Sequence, residues 1–121
     1  MPNCLVVDDA SVIRRVATKM FTDLQFQVRE AADGQKALEA VQQQCPDVML
    51  LDWNMPVMDG LACLKKLRAL PLAVQPKVIF CTTENSITSI TEALEAGANE
   101  YIMKPFDAEI LRCKLEQIGV L

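Results

Sequence analysis

Hydrophobic and polar residues alternate along this chain with two different periods. Short apolar runs, each typical of a buried strand, are followed by longer stretches in which apolar residues recur at helical spacing. The predicted strands are 4–7, 26–30, 48–51, 78–81 and 100–103. The second strand alternates in polarity, which indicates a position nearer a sheet edge. Five strand–helix repeats in succession predict an α/β fold, in which helices cover both faces of a parallel sheet.

Each predicted helix carries an apolar stripe that we expect to face the sheet. In the first helix the stripe begins with Val12, Ile13 and Val16. In the fourth helix we expect Ile87, Ile90 and Leu94 to point inward. Every helix should therefore bury one side and leave the opposite side in solvent.

Polar side chains follow four of the five predicted strands. They are Asp8 and Asp9, Asp52, Thr82 and Lys104. A single aspartate at a strand end could simply cap the next helix or start a turn. Parallel strands, however, bring their carboxyl ends to one edge, where such proteins bind ligands. Three carboxylates gathered there repel one another and need a counter-charge, so we expect Mg²⁺, or Mn²⁺ in its place, together with the lysine.

Composition excludes several other classes of function. The formal net charge is −4 and no block of lysine or arginine occurs, which disfavours nucleic acid as a partner. No apolar run approaches the ~20 residues needed to insert across a membrane. The five cysteines include no Cys-x-x-Cys pair, so we expect reduced thiols and a cytoplasmic protein. The chain has no histidine, so no imidazole base or ligand is available.

The residues expected at the strand ends suit phosphoryl transfer to an aspartate. An ionised carboxylate can attack phosphorus without a general base, because it has no proton to lose. A metal ion and a lysine can neutralise charge on the transferred oxygens. Asp52, which ends the apolar run 48–51, is the candidate nucleophile.

With these motifs in place, the chain resembles the response-regulator receiver domains of two-component signalling. The resemblance spans the full length and is carried by Val7-Asp8-Asp9, Leu51-Asp52-Trp53-Asn54-Met55-Pro56-Val57-Met58-Asp59-Gly60, Cys81-Thr82-Thr83-Glu84, Ala96-Gly97-Ala98 and Tyr101-Ile102-Met103-Lys104-Pro105-Phe106. It looks most like the stand-alone chemotaxis regulators. The resemblance implies a flavodoxin-like, doubly wound (βα)5 fold with strand order 2-1-3-4-5. We therefore expect residues 1–121 to form one receiver domain without an output domain of its own.

The resemblance also implies a role for each site residue. Asp52 would accept the phosphoryl group, and it would bind Mg²⁺ together with Asp9 and the backbone carbonyl of Asn54, while Asp8 would act through water. Thr82 and Lys104 would contact the phosphoryl group.

Further residues would switch the domain or set the lifetime of the phosphorylated state. Thr82 and Tyr101 look like the switch pair, although an aromatic residue on a short strand can be mere packing. Asn54 and Glu84 would tune hydrolysis, and the bond before Pro105 is expected to be cis.

The implied function is a signalling switch and not an enzyme with its own substrate turnover. A sensor histidine kinase or a histidine phosphotransfer protein would donate the phosphoryl group. A downstream protein would then read the face formed by the fourth helix, fifth strand and fifth helix. The alternative is a magnesium phosphatase with an aspartate nucleophile. That class usually carries a second acid two residues after the nucleophile, where this chain has Asn54.

Overall fold

The fold was analysed in a computed structural model that describes residues 2–83 and 86–121. Five strands form one parallel sheet, and their bounds are β1 Asn3–Val7, β2 Gln27–Ala31, β3 Val48–Asp52, β4 Lys77–Thr82 and β5 Glu100–Met103. Five helices alternate with them: α1 Ser11–Asp23, α2 Gly34–Gln43, α3 Gly60–Ala69, α4 Ile87–Glu95 and α5 Ala108–Gln117. The strand order β2-β1-β3-β4-β5 confirms the order that the resemblance implied.

Two separate apolar clusters show how the helices divide between the faces of the sheet. Buried residues of α2, α3 and α4 pack with Leu5 and Val7 on one face. Buried residues of α1 and α5 pack with Cys4 and Val6 on the other. Successive strand residues thus serve opposite cores, as the pleat requires. Because β1, β3 and β4 are buried on both faces, their sequences are continuously apolar.

Side-chain caps start four of the five helices. Asp33, Asp59, Ser86 and Asp107 each accept a hydrogen bond from a backbone N–H of the first helical turn. Such caps satisfy donors that have no partner within the helix. Gly97, which has a left-handed backbone with φ of 114°, follows the C-cap residue Ala96 and ends α4.

The apolar stripes of α1 and α4 are only partly inward, which corrects the sequence-based expectation. Ala17 and Phe21 bury one edge of the α1 stripe, but toward the opposite edge Val12 is 64% exposed and Val16 is 49% exposed. In α4 the buried residue is Ala93, whereas Ile87 is 83% exposed. Both helices therefore present aliphatic side chains to solvent. Within the described part of the chain, none of the helices is both long and apolar enough to cross a membrane.

Candidate functional site

The carboxyl ends of β1, β3, β4 and β5 place the predicted polar residues along one edge of the sheet. Asp8 follows β1, Asp52 ends β3, Thr82 ends β4 and Lys104 follows β5. Asp8, Asp52 and Thr82 are the buried polar side chains of the described core. One carboxylate oxygen each from Asp8, Asp9 and Asp52 lies within 4.8 Å of the others. The structure thus brings together the three acids that the sequence indicated.

Lys104 connects two of these acids directly. Its Nζ donates a hydrogen bond to Asp52 Oδ1 at 2.8 Å and another to Asp8 Oδ2 at 2.9 Å. The backbone N–H of Lys104 donates to the carbonyl of Thr82, which joins the ends of β4 and β5. The Lys104–Pro105 peptide bond is cis, the isomer that the resemblance implied. Among the described residues, the Lys104 ammonium is therefore the positive charge that balances Asp8 and Asp52.

Burial and charge set the protonation behaviour of the pair. Burial raises the pKa of Asp52, and nearby Asp8 raises it further, whereas the hydrogen bond from Lys104 opposes both effects. Burial alone would lower the pKa of Lys104. Hydrogen bonds to Asp52 and Asp8 outweigh that effect, so the lysine pKa is raised and the side chain is a cation at neutral pH. The single positive charge of Lys104 balances only part of the negative charge of the carboxylates.

The three carboxylates fit a small divalent cation. Magnesium prefers oxygen ligands at about 2.0–2.1 Å and usually keeps several waters. The oxygens of Asp8, Asp9 and Asp52 are close enough to surround one such ion after small side-chain rotations. Asp9 is exposed and Asn54 lies in the exposed loop after β3, so water can reach the same side of the site. A site with few protein ligands and open positions is typical of magnesium centres.

A tight loop after β3 holds the backbone of Asp52 in place. The backbone N–H of Gly60 donates to the carbonyl of Trp53 at 2.8 Å, which folds the start of α3 back onto the end of β3. A Cβ on Gly60 would lie 2.2 Å from the carbonyl oxygen of Asp52. In the same loop Val57 has φ of 70°, a conformation that costs energy for a β-branched residue. The backbone at Asp52 is thus held by contacts that only glycine permits.

Gly60→Ala is therefore expected to lower the free energy of unfolding by about 3 kcal/mol, since the backbone at Asp52 must move to admit the methyl group. Urea unfolding measures the loss. Gly119→Ala is the control without a steric clash: a Cβ there would meet nothing within 4 Å, and only the positive φ of 80° opposes the substitution. That variant should lose only about 1 kcal/mol. Equal losses in both variants would contradict the steric argument.

The two predicted switch residues lie near each other on adjacent strands. Thr82 is buried at the end of β4, where its register partner in β5 is Met103. Tyr101 is half-buried, and the Nζ of Lys114 lies 4.7 Å from the centroid of its ring. Lys114 also pairs with Glu100 at 3.4 Å. Glu84, predicted to tune hydrolysis, falls outside the described residues.

Two features beside the site were not predicted from the sequence. Arg14 on α1 donates from Nη1 to the carbonyl of Asp8 at 2.7 Å and from Nε to Glu30 at 3.1 Å. This bridge holds the β1–α1 loop to β2. An apolar hollow also adjoins Lys104, lined by Ile13, Val16, Ala17, Met20, Thr83, Lys104, Pro105 and Phe106. Helical periodicity predicts an apolar stripe on α1, but it does not show which edge of that stripe stays exposed beside the site.

Comparison with known protein sequences identifies related chains over almost the whole length. A family model described as the response regulator receiver domain matches residues 4–116. Chemotaxis protein CheY-3 of Vibrio cholerae is 41% identical over 115 residues, which cover 94% of this chain and 88% of that protein. Chemotaxis protein CheY of Pseudomonas aeruginosa is 39% identical over 115 residues, covering 94% and 93% of the two chains.

Solved structures show the same fold. The chemotaxis protein CheY4 of Vibrio cholerae superposes with a TM-score of 0.91 at 34% identity, covering 98% of each chain. The CheX–CheY–BeF₃–Mg²⁺ complex of Borrelia burgdorferi contains a chain with a TM-score of 0.90 at 28% identity. That match covers 98% of this chain and 90% of the other. The similarity therefore extends through every strand that contributes to the acidic edge.

Proposed function

We propose that this chain, which belongs to the response-regulator receiver family, accepts a phosphoryl group on Asp52 in a magnesium-dependent step and thereby switches its affinity for a partner protein. Receiver domains of the CheY type are signalling switches of two-component systems. The observation that carries the proposal is the geometry of Asp52, a buried carboxylate hydrogen-bonded at 2.8 Å to a lysine beside two further acids.

Asp52 is suited to be the nucleophile. Its carboxylate oxygen would attack phosphorus, forming a new P–O bond while the bond from phosphorus to the donor breaks and the donor leaves with that electron pair. Burial raises the pKa of the neighbouring Cys81 thiol to about 12, so that thiol stays protonated and does not compete. Mg²⁺, when bound, supplies positive charge to the transferred oxygens. Lys104, whose Nζ hydrogen-bonds Asp52 and Asp8, would supply a second positive charge.

The protein also holds the residues that would position the ion. Asp9, Asp52 and the backbone carbonyl of Asn54 are the proposed direct ligands, with Asp8 acting through water. The Borrelia relative was solved with Mg²⁺ and BeF₃, which supports a hard cation at the equivalent edge of this fold. Asn54 and Glu84 remain the residues that we expect to set the rate of hydrolysis.

The apolar side of α1 is the proposed docking site for the phosphodonor, a histidine kinase or a histidine phosphotransfer protein. Val12, Ile13 and Val16 are exposed, and Ile13 and Val16 line the hollow beside Lys104. An exposed aliphatic patch next to a reaction centre is typical of a protein contact surface. A donor seated there would bring its phosphohistidine to the edge that holds Asp52.

The output is proposed to pass through Thr82 and Tyr101 to the face formed by α4, β5 and α5. A phosphoryl group on Asp52 adds acceptor oxygens that the Thr82 hydroxyl can approach. Movement of Thr82 would leave space for the Tyr101 ring. A partner that prefers the rearranged face shifts the equilibrium by its differential affinity. The Borrelia relative was solved in complex with CheX, so a protein target is the natural expectation here.

Incubation with acetyl phosphate and Mg²⁺ tests the proposal. Intact-mass spectrometry should show one added phosphoryl group that is stable in acid and lost in base, as expected for an acyl phosphate. Chelation of the metal should prevent the addition. Absence of the adduct with Mg²⁺ present, or equal labelling after chelation, would contradict the proposed chemistry.

A further inference from the structure

The exposed side of α4 combines aliphatic and acidic side chains. Its surface residues are Ile87, Thr88, Thr91, Glu92 and Glu95, which recur with the spacing of one helical stripe. Ile87 is 83% exposed, and Leu94 on the same helix is 44% exposed. The helix contains no lysine or arginine. We call these five stripe residues the acidic face of α4.

The carboxylates of this face have no positive partner within the described chain. The ion pairs found among the described residues include neither Glu92 nor Glu95. Exposed acids at adjacent turns repel each other modestly and gain from an external cation. Their charge is therefore available to a binding partner.

The basic residue of α5 that faces β5 is already engaged. Lys114 of α5 pairs with Glu100 at 3.4 Å and lies over the Tyr101 ring, and its side chain is only 22% exposed. Arg112, the other cation of α5, lies roughly 160° from Lys114 around the helix axis. The face made by α4, β5 and the Lys114 side of α5 therefore offers uncompensated negative charge around exposed aliphatic side chains.

We propose that the acidic face of α4 binds a basic amphipathic segment of the downstream partner protein. An aliphatic side chain of that segment packs on Ile87, and its lysine or arginine residues pair with Glu92 and Glu95. Such charge complementarity increases the association rate and rejects acidic competitors. This inference rests on the proposed function, because it takes the α4–β5–α5 face as the surface that a partner reads.

Two designed helical peptides with the same apolar pattern test the proposal, one with lysine and the other with glutamate at the polar positions. The lysine peptide is titrated into ¹⁵N-labelled protein, with and without acetyl phosphate and Mg²⁺. Backbone amide shifts should concentrate in Ile87–Glu95. Glu92→Lys and Glu95→Lys should each weaken binding by about 5-fold, and higher salt should weaken it further.

Glu39→Lys provides the matched control, since Glu39 is an exposed acid on α2 and its replacement causes the same change in net charge. This variant should bind the lysine peptide within about 2-fold of the unmodified protein. The glutamate peptide should bind only the Glu92→Lys/Glu95→Lys double variant. Equal weakening by Glu39→Lys, shifts centred outside α4, equal binding of both peptides, or no binding of the lysine peptide to either form would each overturn the proposal.

Acetyl phosphate labelling of every variant separates this inference from the proposed function. None of the three glutamates contributes to the acceptor site, so all variants should be labelled like the unmodified protein. Normal labelling without peptide discrimination overturns the docking proposal alone. Failure of labelling in the unmodified protein overturns the proposed function, while the peptide titration still reports directly on the charge preference of α4.

Discussion

Asp52→Asn is expected to accept no phosphoryl group from acetyl phosphate. The amide is close in size to the carboxylate and can still accept a hydrogen bond from Lys104, so the fold is retained. It has no anionic oxygen to attack phosphorus. Intact-mass spectrometry under conditions that fully label the unmodified protein measures the loss. Asp23→Asn, the same chemical change at an exposed residue of α1, should leave labelling unchanged.

The same variant yields an independent stability test that requires no phosphodonor. Burial raises the pKa of Asp52 in the folded state, so the folded protein favours the protonated form. That contribution is present below the unfolded pKa and is lost as pH rises through the folded pKa. In chelator, the stability of the unmodified protein relative to Asp52→Asn should therefore fall as pH rises above the ordinary aspartate pKa of about 3.9. Labelling of Asp52→Asn at the original level, or a difference that rises with pH, would contradict the assignment.

The sheet and its acidic edge could be predicted from the sequence because local patterns determine them. Continuous apolar runs such as 48–51 occur where a parallel strand is buried on both faces, and the alternating pattern of β2 matches its edge position. Once the strands are parallel, the residues after them must meet at one edge. Asp8, Asp52 and Lys104 therefore converge without any knowledge of the intervening loops.

Helix burial could be predicted less well, because periodicity defines an apolar stripe but not which edge of a wide stripe faces the sheet. Val12 lies about 180° from Phe21 around the axis of α1, at the opposite edge of the apolar stripe, and only the edge with Phe21 reaches the core. In α4 the small Ala93 allows close packing, which leaves Ile87 in solvent. These exposed aliphatic residues are where the proposed donor and target surfaces lie.

Long-range contacts within the site could not be predicted from pattern at all. The contact of Gly60 with the Asp52 carbonyl and the hydrogen bond from Arg14 to the Asp8 carbonyl depend on how two loops fold back onto the strand ends. The motif Asp59-Gly60 indicates a helix start, but not that its backbone presses on the acceptor. Such contacts determine how exactly the side chains of the site are positioned. The sequence pattern determines only which residues form the site.

Lys104→Met should lower the free energy of unfolding by about 2–3 kcal/mol at neutral pH in the presence of chelator. The variant leaves two buried carboxylates facing each other without their shared cation, and removing one partner of a buried ion pair is strongly destabilising. Because the folded pKa of Lys104 is raised, its stabilising contribution is fully present below the unfolded lysine pKa and is lost only as pH rises through the folded value. Lys19→Met removes an exposed pair, with side chains 78% and 65% accessible, and should cost less than about 1 kcal/mol.

Magnesium should restore much of the stability that Lys104→Met loses, because an ion held by the native acidic cluster stabilises the folded state by mass action. Removal of the ammonium also leaves Asp8 and Asp52 free to bind a cation, so the variant should bind Mg²⁺ more tightly than the unmodified protein. Trp53 adjoins the acceptor and is the only tryptophan, so its emission can follow the titration. Urea unfolding with and without Mg²⁺ completes the test, and Lys19→Met should show no extra response to the metal. If Lys104→Met loses no more stability than Lys19→Met, or gains none from Mg²⁺, then Lys104 is not the counter-charge of the acidic site.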